Sequence, residues 1–258
     1  MTRWLRFERD DRPEIGALED GIIAVHHGDL FGQLDATGER IALNEVRLLT
    51  PCEPSKMVAL WNNYHALAEK LGISTPEEPL YFIKANSSFL AGDETIRRPA
   101  SYGGKVVYEG ELGIVIGKRC AAASPAEAED CIFGYTCVND VTAVELLNKD
   151  PSFAQWTRAK SFDGFGVFGP TIAAGLDPLS LSVRTVLNGQ ERQNYPVSDI
   201  VFPPAELVSL LSQDMTLLPG DLIACGTSVG VGSMKEPENL VEVSIEGIGS
   251  LTSTFVQS

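Results

Sequence analysis

The sequence predicts a mostly β protein of the α+β class, with strands in a mixed β-sandwich or roll and helices at the periphery. Short β-like runs recur along the 258 residues, and the few helical patterns do not alternate regularly with them. The chain is 44% hydrophobic, which is enough at this length for a sizeable core. We therefore expect one large domain preceded by a small β-rich domain.

The small N-terminal domain is predicted over residues 1–53. Its β-like runs are separated by turn signals such as Asp20-Gly21. Two prolines between residues 50 and 54 then indicate a linker. The main domain is accordingly expected over residues 54–258.

The main domain contains both helical patterns and β-strand patterns. Its predicted elements are a helix over 62–72, strands over 79–85 and 105–118, a helix over 124–133, a strand over 134–140, a helix over 141–148, a loop over 150–170, a hairpin about Asn188-Gly189, a helix over 203–212 and strands from 222 onward. The first helix has apolar residues at helical spacing and Gly72 as its stop. The second opens with a capping box, Ser124 to Glu127. Asn-Gly is the preferred two-residue hairpin turn.

An acidic pair, Glu109 and Glu111, interrupts the apolar strand predicted over 105–118. Side chains two apart on a strand share a face and lie roughly 7 Å apart, a distance that one cation can bridge. An edge strand with its glutamates in water is the alternative. The apolar residues after Glu111 favour a strand buried on both faces instead, where two unpaired carboxylates are costly. The pair therefore predicts a bound cation.

Asp140, at the end of the strand predicted over 134–140, is the third candidate ligand. A set of carboxylates prefers a hard cation, so Mg²⁺ or Mn²⁺ is expected rather than zinc or copper. Three carboxylates leave about half of an octahedral shell open for water and a chelating substrate. A 2-oxo acid or the enolate of a 1,3-diketone could chelate there, with the metal stabilising charge on its oxygen.

Three basic residues are candidates to meet the carboxylate of such a substrate: Lys84, Arg158 and Lys160. Lys84 follows three apolar residues in a buried-looking strand, and Lys160 lies among aromatic residues and glycines. A lysine beside a metal-bound enolate is suited to stabilising it. The alternative is that all three are ordinary surface cations.

Composition excludes several kinds of partner. The net charge of −15 argues against nucleic acid and against an anionic membrane surface, since both require basic patches. The N-terminus lacks the apolar core of a signal peptide, and no apolar run approaches a membrane span. The five scattered cysteines include no C-x-x-C pair, so we expect reduced thiols in a cytoplasmic protein.

Six motifs, in order from about residue 56 to the C-terminus, resemble the fumarylacetoacetate hydrolase family. They are YFIKANSSF, YEGELGIVIGK, YTCVNDVTA, RAKSFDGFGVFGP, LNGQERQ and ELVSLLSQDMTLLPGDLIACGTSVGVG. The N-terminal β-rich piece is also similar to the small leading domain of such proteins.

The resemblance implies a β-rich fold of that family's type and a homodimer. It also implies a divalent cation, usually Mg²⁺, held at Glu109, Glu111 and Asp140. Lys160 matches the family's substrate-binding lysine. Thr227 matches the threonine of its G-T-P motif and is expected to orient the substrate carboxylate. The implied reactions are cleavage, decarboxylation or isomerisation of small anionic 2-oxo and 1,3-dicarbonyl acids, in aromatic catabolism among other routes.

The sequence departs from the family pattern at its acid-base pair. Family hydrolases activate water with a histidine and a glutamate three residues later, where this chain has Leu67 and Lys70. His65 and Glu69 are four residues apart and could meet on a helix as a substitute pair. Position 65 is, however, about 200° round the helix from position 67. Ser228 also replaces the proline of G-T-P.

These features favour, by a thin margin, a metal-dependent hydrolase that cleaves a C–C bond in an acylpyruvate-type or fumarylacetoacetate-type acid. An isomerase or decarboxylase of 2-hydroxymuconate-type dioates or of oxaloacetate is the alternative, because such reactions need an electron sink more than an activated water. A catalytically impaired metal- and ligand-binding protein is the hypothesis from another class. A structural β protein with a chance acidic strand is a third possibility.

Overall fold

Strands dominate the computed structural model, which describes residues 1–257. The strands are β1 (Thr2–Arg9), β2 (Arg12–Glu19), β3 (Ile22–Gly28), β4 (Leu34–Ala42), β5 (Arg47–Leu48), β6 (Met57–Trp61), β7 (Leu80–Lys84), β8 (Phe89–Leu90), β9 (Thr95–Arg97), β10 (Val106–Tyr108), β11 (Gly110–Ile116), β12 (Ile132–Asp140), β13 (Thr142–Ala143), β14 (Gly166–Ala174), β15 (Ser182–Leu187), β16 (Gln190–Pro196), β17 (Leu222–Ala224), β18 (Gly232–Ser233), β19 (Glu238–Ile245) and β20 (Gly249–Val256). The α-helices are α1 (His65–Leu71), α2 (Pro125–Glu129), α3 (Val144–Leu147), α4 (Trp156–Lys160) and α5 (Pro204–Asp214). The predicted fold class, mostly β with few helices, is confirmed.

The strands form three sheets. The largest has the order β4-β3-β2-β1-β14-β12-β11-β17-β6-β7, with β5 and β8 paired to β1 and β14. A five-stranded sheet has the order β16-β15-β19-β20-β9, and β10 lies between β13 and β18 in a three-stranded sheet. Most neighbours are antiparallel, but β6 runs parallel to β17 and β9 runs parallel to β20. The sheets are therefore mixed.

The N-terminal strands share the largest sheet with the rest of the chain. Strand β1 pairs with β14 through partners such as Trp4 and Ile172. Strands β1 and β2 were not among the predicted runs, because charged residues break up their apolar pattern. The domain boundary placed near residue 53 stays a prediction.

Strand β11 is the central strand that carries the acidic residues. All seven of its residues are buried, as its apolar run predicts for a strand covered on both faces. It pairs with β12 on one side and with β17 on the other. The two neighbours fix the position of β11 and hence of any side chain at its start.

Local signals place several element ends correctly. Gly72 follows α1 with φ of 67°, and the capping box of Ser124 and Glu127 opens α2. Asn188 and Gly189 both have positive φ, at 51° and 77°, as a two-residue hairpin turn of this type requires. These turn and cap residues could be predicted from the sequence because each acts on the backbone next to it.

Four elements differ from the prediction. The helix expected over 124–133 ends at Glu129, and residues 132 and 133 belong to β12. The strand expected over 105–118 breaks at Glu109, and the loop expected over 150–170 contains α4 and the start of β14. The helix expected over 141–148 is one turn, α3, preceded by the short strand β13. Helices of four or five residues are too short for the 3.6-residue period to identify.

Two further expectations concern the state of the cysteines and membrane-spanning helices. All five cysteines are free and buried, in agreement with the prediction of reduced thiols. Within residues 1–257, no helix has the length and apolar character needed to cross a membrane.

Candidate metal centre

Three carboxylates, those of Glu109, Glu111 and Asp140, converge at the start of β11. An oxygen atom from each lies within 4.8 Å of the others. Glu111 and Asp140 are fully buried, and Glu109 is partly exposed. The structure thus brings together the acidic residues that the sequence identified.

A break in the backbone, and not a continuous strand, produces this convergence. Glu109 lies between β10 and β11, which belong to different sheets. Asp140 ends β12, and its amide donates to the carbonyl of Glu109 at 2.9 Å. This cross-strand contact sets Asp140 beside the acidic pair.

Three side-chain hydrogen bonds hold Gly110, between the two glutamates. Its N–H donates to Gln193 Oε1 at 3.0 Å. Its carbonyl accepts from the hydroxyls of Tyr195, at 2.7 Å, and Thr227, at 2.9 Å. A Cβ at Gly110 would lie 2.0 Å from Thr185 Oγ1, so only glycine fits. Gln193 and Tyr195 were missed at the sequence level, because their role depends on β16 lying against β11.

Thr227 is tied into the same network. Its hydroxyl donates to Gly110 and accepts from the amide of Gln193 at 2.8 Å, and the residue is 9% exposed. The structure therefore gives Thr227 two partners within the protein. Its predicted contact with a substrate carboxylate stays a prediction.

Two buried lysines neutralise most of the acidic charge. Lys160 donates to Glu109 Oε2 at 2.5 Å and to Asp140 Oδ2 at 2.7 Å. Lys84 donates to Asp140 Oδ1 and is completely buried. Three carboxylates and two ammonium groups leave one negative charge when all five are ionised. The predicted lysines thus lie at the site and not on the surface.

Burial and charge shift the pKa values of these groups in different directions. Burial raises the pKa of Glu111 well above its usual value, and the charge of Asp140 adds to the effect. Burial also raises the pKa of Glu109, against the opposing charge of Lys160. Burial acts in the same direction on Asp140, but Lys160 and Lys84 outweigh it and lower its pKa.

The pKa values of the two lysines also shift in opposite directions. Burial lowers the pKa of Lys84 more than Asp140 raises it. Burial opposes the charged form of Lys160 too, but Asp140 and Glu109 together outweigh it and raise its pKa. Lys160 is therefore held as a cation by two carboxylates, whereas Lys84 has only one.

One buried carboxylate oxygen at the site has no hydrogen-bond partner among the described residues. Glu111 Oε2 accepts from the amide of Gly226 at 2.9 Å, but Oε1 is buried and has no hydrogen-bond partner within residues 1–257. A buried carboxylate oxygen without a partner is costly unless a cation binds it. The oxygen-only donor set fits Mg²⁺ or Mn²⁺. Glu109, Glu111 and Asp140 therefore fit a divalent cation.

The other predicted residues lie apart from this cluster. Arg158 is exposed on α4 and forms no ion pair with any described residue. His65 and Glu69 are exposed on α1, and no hydrogen bond joins them to each other or to the carboxylates within the described part of the chain. Leu67 is half-buried against the hydrophobic core. The acid-base role of His65 and Glu69 stays a prediction, without a supporting contact.

Two family models together match most of the chain. The model described as fumarylacetoacetate (FAA) hydrolase C-terminal matches residues 56–256. The model described as Rv2993c-like, N-terminal matches residues 2–51. Among relatives, an uncharacterized protein of Archaeoglobus fulgidus is 44% identical over 220 residues, which cover 85% of this chain and 86% of that protein.

Solved structures share the whole fold. The 2-hydroxyhepta-2,4-diene-1,7-dioate isomerase from Mycobacterium marinum superposes with a TM-score of 0.90 at 37% identity, covering 100% of this chain and 99% of that one. Maleylpyruvate hydrolase from Sphingobium sp. SYK-6, solved with manganese(II) and pyruvate, has a TM-score of 0.81 at 26% identity and covers 99% of each chain.

Proposed function

The chain belongs to the fumarylacetoacetate hydrolase family, and from this premise we propose that it is a Mg²⁺- or Mn²⁺-dependent enzyme that forms the enolate of a small 2-oxo or 1,3-dicarbonyl acid. The observation that carries the proposal is the unpaired, buried Oε1 of Glu111 beside two further carboxylates and the cation of Lys160. The metal named with the Sphingobium enzyme supports the same choice of cation.

Each group at the site has a separate task. A divalent cation held by the three carboxylates would act as a Lewis acid on a chelating substrate. Lys160, kept positively charged by Glu109 and Asp140, stabilises the negative charge that develops on the substrate oxygen. Lys84 holds the second oxygen of Asp140 and so fixes the direction of that carboxylate.

Isomerisation between keto and enol forms is the reaction that this site supports best. It moves a proton and a double bond through an enolate and consumes no water. The sequence favoured hydrolysis by a thin margin, which rested on the family resemblance. The half-buried Leu67 and the exposed His65 and Glu69 leave no water-activating pair in contact with the carboxylates among the described residues, which favours isomerisation.

C–C bond hydrolysis is the second candidate, favoured by the hydrolase named among the solved structures. In that reaction water adds to the distal carbonyl of R–CO–CH₂–CO–COO⁻, and the C–C bond on its CH₂ side breaks. The bonding electrons become the enolate of pyruvate, which takes up a proton, and the other product is R–COOH. Lys160 would stabilise the same enolate, so the two reactions share most of the site.

Removal of the metal tests the proposal directly. Treatment with EDTA is expected to lower turnover of acetylpyruvate and oxaloacetate by more than about 10-fold, and Mg²⁺ or Mn²⁺ should restore it, because the Lewis acid contributes several kcal/mol. Enol absorbance follows isomerisation, and a lactate dehydrogenase assay follows pyruvate release. Release of pyruvate from acetylpyruvate would favour hydrolysis, whereas its release from oxaloacetate would indicate decarboxylation. Turnover that EDTA leaves unchanged would contradict the proposal.

A metal-retaining binding protein without turnover is the competing hypothesis. It predicts that calorimetry detects binding of Mn²⁺ and of a 2-oxo acid while neither assay shows product. Assembly as a homodimer and a cytoplasmic location stay predictions, and sedimentation equilibrium tests the first.

A further inference from the structure

A cavity of about 290 Å³ is lined by apolar and aromatic side chains from β6, β7 and α4. The lining residues are Trp61, Leu80, Tyr81, Phe82 and Trp156. The rings form one cluster, with the Trp156 centroid 5.6 Å from that of Trp61 and 5.4 Å from that of Phe82. We call this cavity the aromatic pocket.

Strand β7 leads from the carboxylates to the aromatic pocket. Lys84, Phe82 and Leu80 alternate along the strand and therefore share one face, at steps of roughly 7 Å. Lys84 is bonded to Asp140 and completely buried, Phe82 is 8% exposed and Leu80 is 43% exposed. This face thus runs from the buried site outward into the pocket.

Helix α4 also connects the carboxylates with the aromatic pocket. Trp156 and Lys160 are four residues apart and so lie on one side of the helix. Lys160 Nζ bonds Glu109 and Asp140 and also lies 5.3 Å from the centroid of the Phe82 ring. The ring of Phe82 therefore contacts both the cation of the site and the wall of the pocket.

The chemistry of the lining selects the occupant. None of the five lining residues is charged, and the nearby ammonium of Lys160 is already bonded to Glu109 and Asp140. A carboxylate placed in the pocket would therefore lose its hydration without a free cation among the lining side chains. An apolar group, and an aromatic ring above all, gains from burial against these side chains.

We propose that the aromatic pocket binds the distal tail of the substrate and selects 2-oxo acids with an aryl or bulky alkyl tail over those with a carboxylate tail. This rests on the proposed function, which places the 2-oxo carboxylate head at the metal ligands. The tail of such an acid begins about two bonds beyond its 2-oxo group, on the side of Lys160 and Phe82. This preference for an apolar tail is the opposite of a preference for a dioate, which has a carboxylate at each end and is named for the Mycobacterium marinum isomerase.

Three 2-oxo acids that differ only in the tail test the pocket. They are 4-phenyl-2-oxobutanoate, 2-oxopentanoate and 2-oxoglutarate, with phenyl, methyl and carboxylate tails. None is a 1,3-dicarbonyl acid, so none can be hydrolysed. With saturating Mg²⁺, calorimetry should give the phenyl compound a Kd at least about 10-fold below those of the other two, the scale of selectivity an apolar pocket supplies. Equal affinities, or tightest binding of 2-oxoglutarate, would overturn the proposal.

A charge added at the rim should reverse the order. The substitution Leu80→Lys adds this charge. Leu80 is exposed and lies on an edge strand, where lysine is well tolerated. Leu80→Lys is expected to weaken binding of the phenyl compound and to strengthen binding of 2-oxoglutarate, changing the ratio of their Kd values by at least about 10-fold. Leu80→Met keeps the pocket apolar, and Leu240→Lys adds the same charge at another exposed strand position. Both controls should keep the wild-type ratio, and a Leu80→Lys ratio equal to theirs would count against the pocket.

Turnover separates this inference from the proposed function. Benzoylpyruvate and acetylpyruvate carry phenyl and methyl tails on a 1,3-dicarbonyl acid. If neither is isomerised or hydrolysed while 4-phenyl-2-oxobutanoate still binds selectively, the proposed function fails and the pocket stands. If both are turned over with equal kcat/KM and the three 2-oxo acids bind equally, the pocket fails and the function stands.

Discussion

Replacing Lys160 with methionine is expected to lower kcat by about 100- to 1000-fold, the usual effect of removing a preorganised group that stabilises transition-state charge. Lys160 is 3% exposed and contacts two of the three carboxylates, so its charge is shielded from bulk water. Because the charge on the substrate oxygen grows in the transition state, kcat should fall more than KM rises. Steady-state kinetics with saturating Mg²⁺ measures both.

A surface lysine provides the control for this variant. Lys118→Met removes an equal charge from an exposed position after β11 and is expected to leave kcat within about 2-fold, since isolated exposed charges contribute little. Circular dichroism and urea unfolding establish that Lys160→Met is folded. A folded Lys160→Met enzyme with wild-type kcat would remove Lys160 from the mechanism.

Substitution of Asp140 by alanine is expected to destabilise the metal-free protein by about 3–5 kcal/mol, the usual penalty for breaking a buried ion pair. Asp140 is fully buried and accepts from Lys84 and Lys160 through different oxygens. Its loss leaves the ammonium group of Lys84 buried without a partner, while Lys160 keeps Glu109. Urea unfolding in EDTA measures the free energy without a contribution from bound metal.

A double substitution isolates the charge from the packing. Lys84→Met combined with Asp140→Leu replaces the pair with apolar side chains of similar volume and should recover most of the stability lost in Asp140→Ala. If Asp140→Ala costs less than about 1 kcal/mol in EDTA, Lys84 is not held as a buried cation, and the assignment of an ion pair is wrong.

The parts of the site that the sequence predicted depend on short-range rules. Glu109, Glu111 and Asp140 could be singled out because carboxylates in buried apolar strands need a cation. The lysines could be chosen by their apolar neighbours. The caps at Ser124 and Gly72 act on adjacent backbone and were equally readable.

The parts that it did not predict depend on contacts between distant strands. Gln193 and Tyr195 hold Gly110 across more than 80 residues of chain, and nothing local marks them. The break at Glu109 arises because β10 and β11 join different sheets. The pairing of Trp61 with Trp156 likewise exists only once α4 packs beside β7.

Binding of Mn²⁺ tests the central claim, that three carboxylates hold one divalent cation. Calorimetry on the EDTA-treated, dialysed protein should give one Mn²⁺ per chain. Glu111→Gln should weaken it by at least about 100-fold, because even residues outside the ligand shell change metal affinity by about 10- to 100-fold. Glu129→Gln, at an exposed glutamate on α2, is the matched control and should bind as the wild type does. Wild-type Mn²⁺ affinity in a folded Glu111→Gln protein would contradict the account.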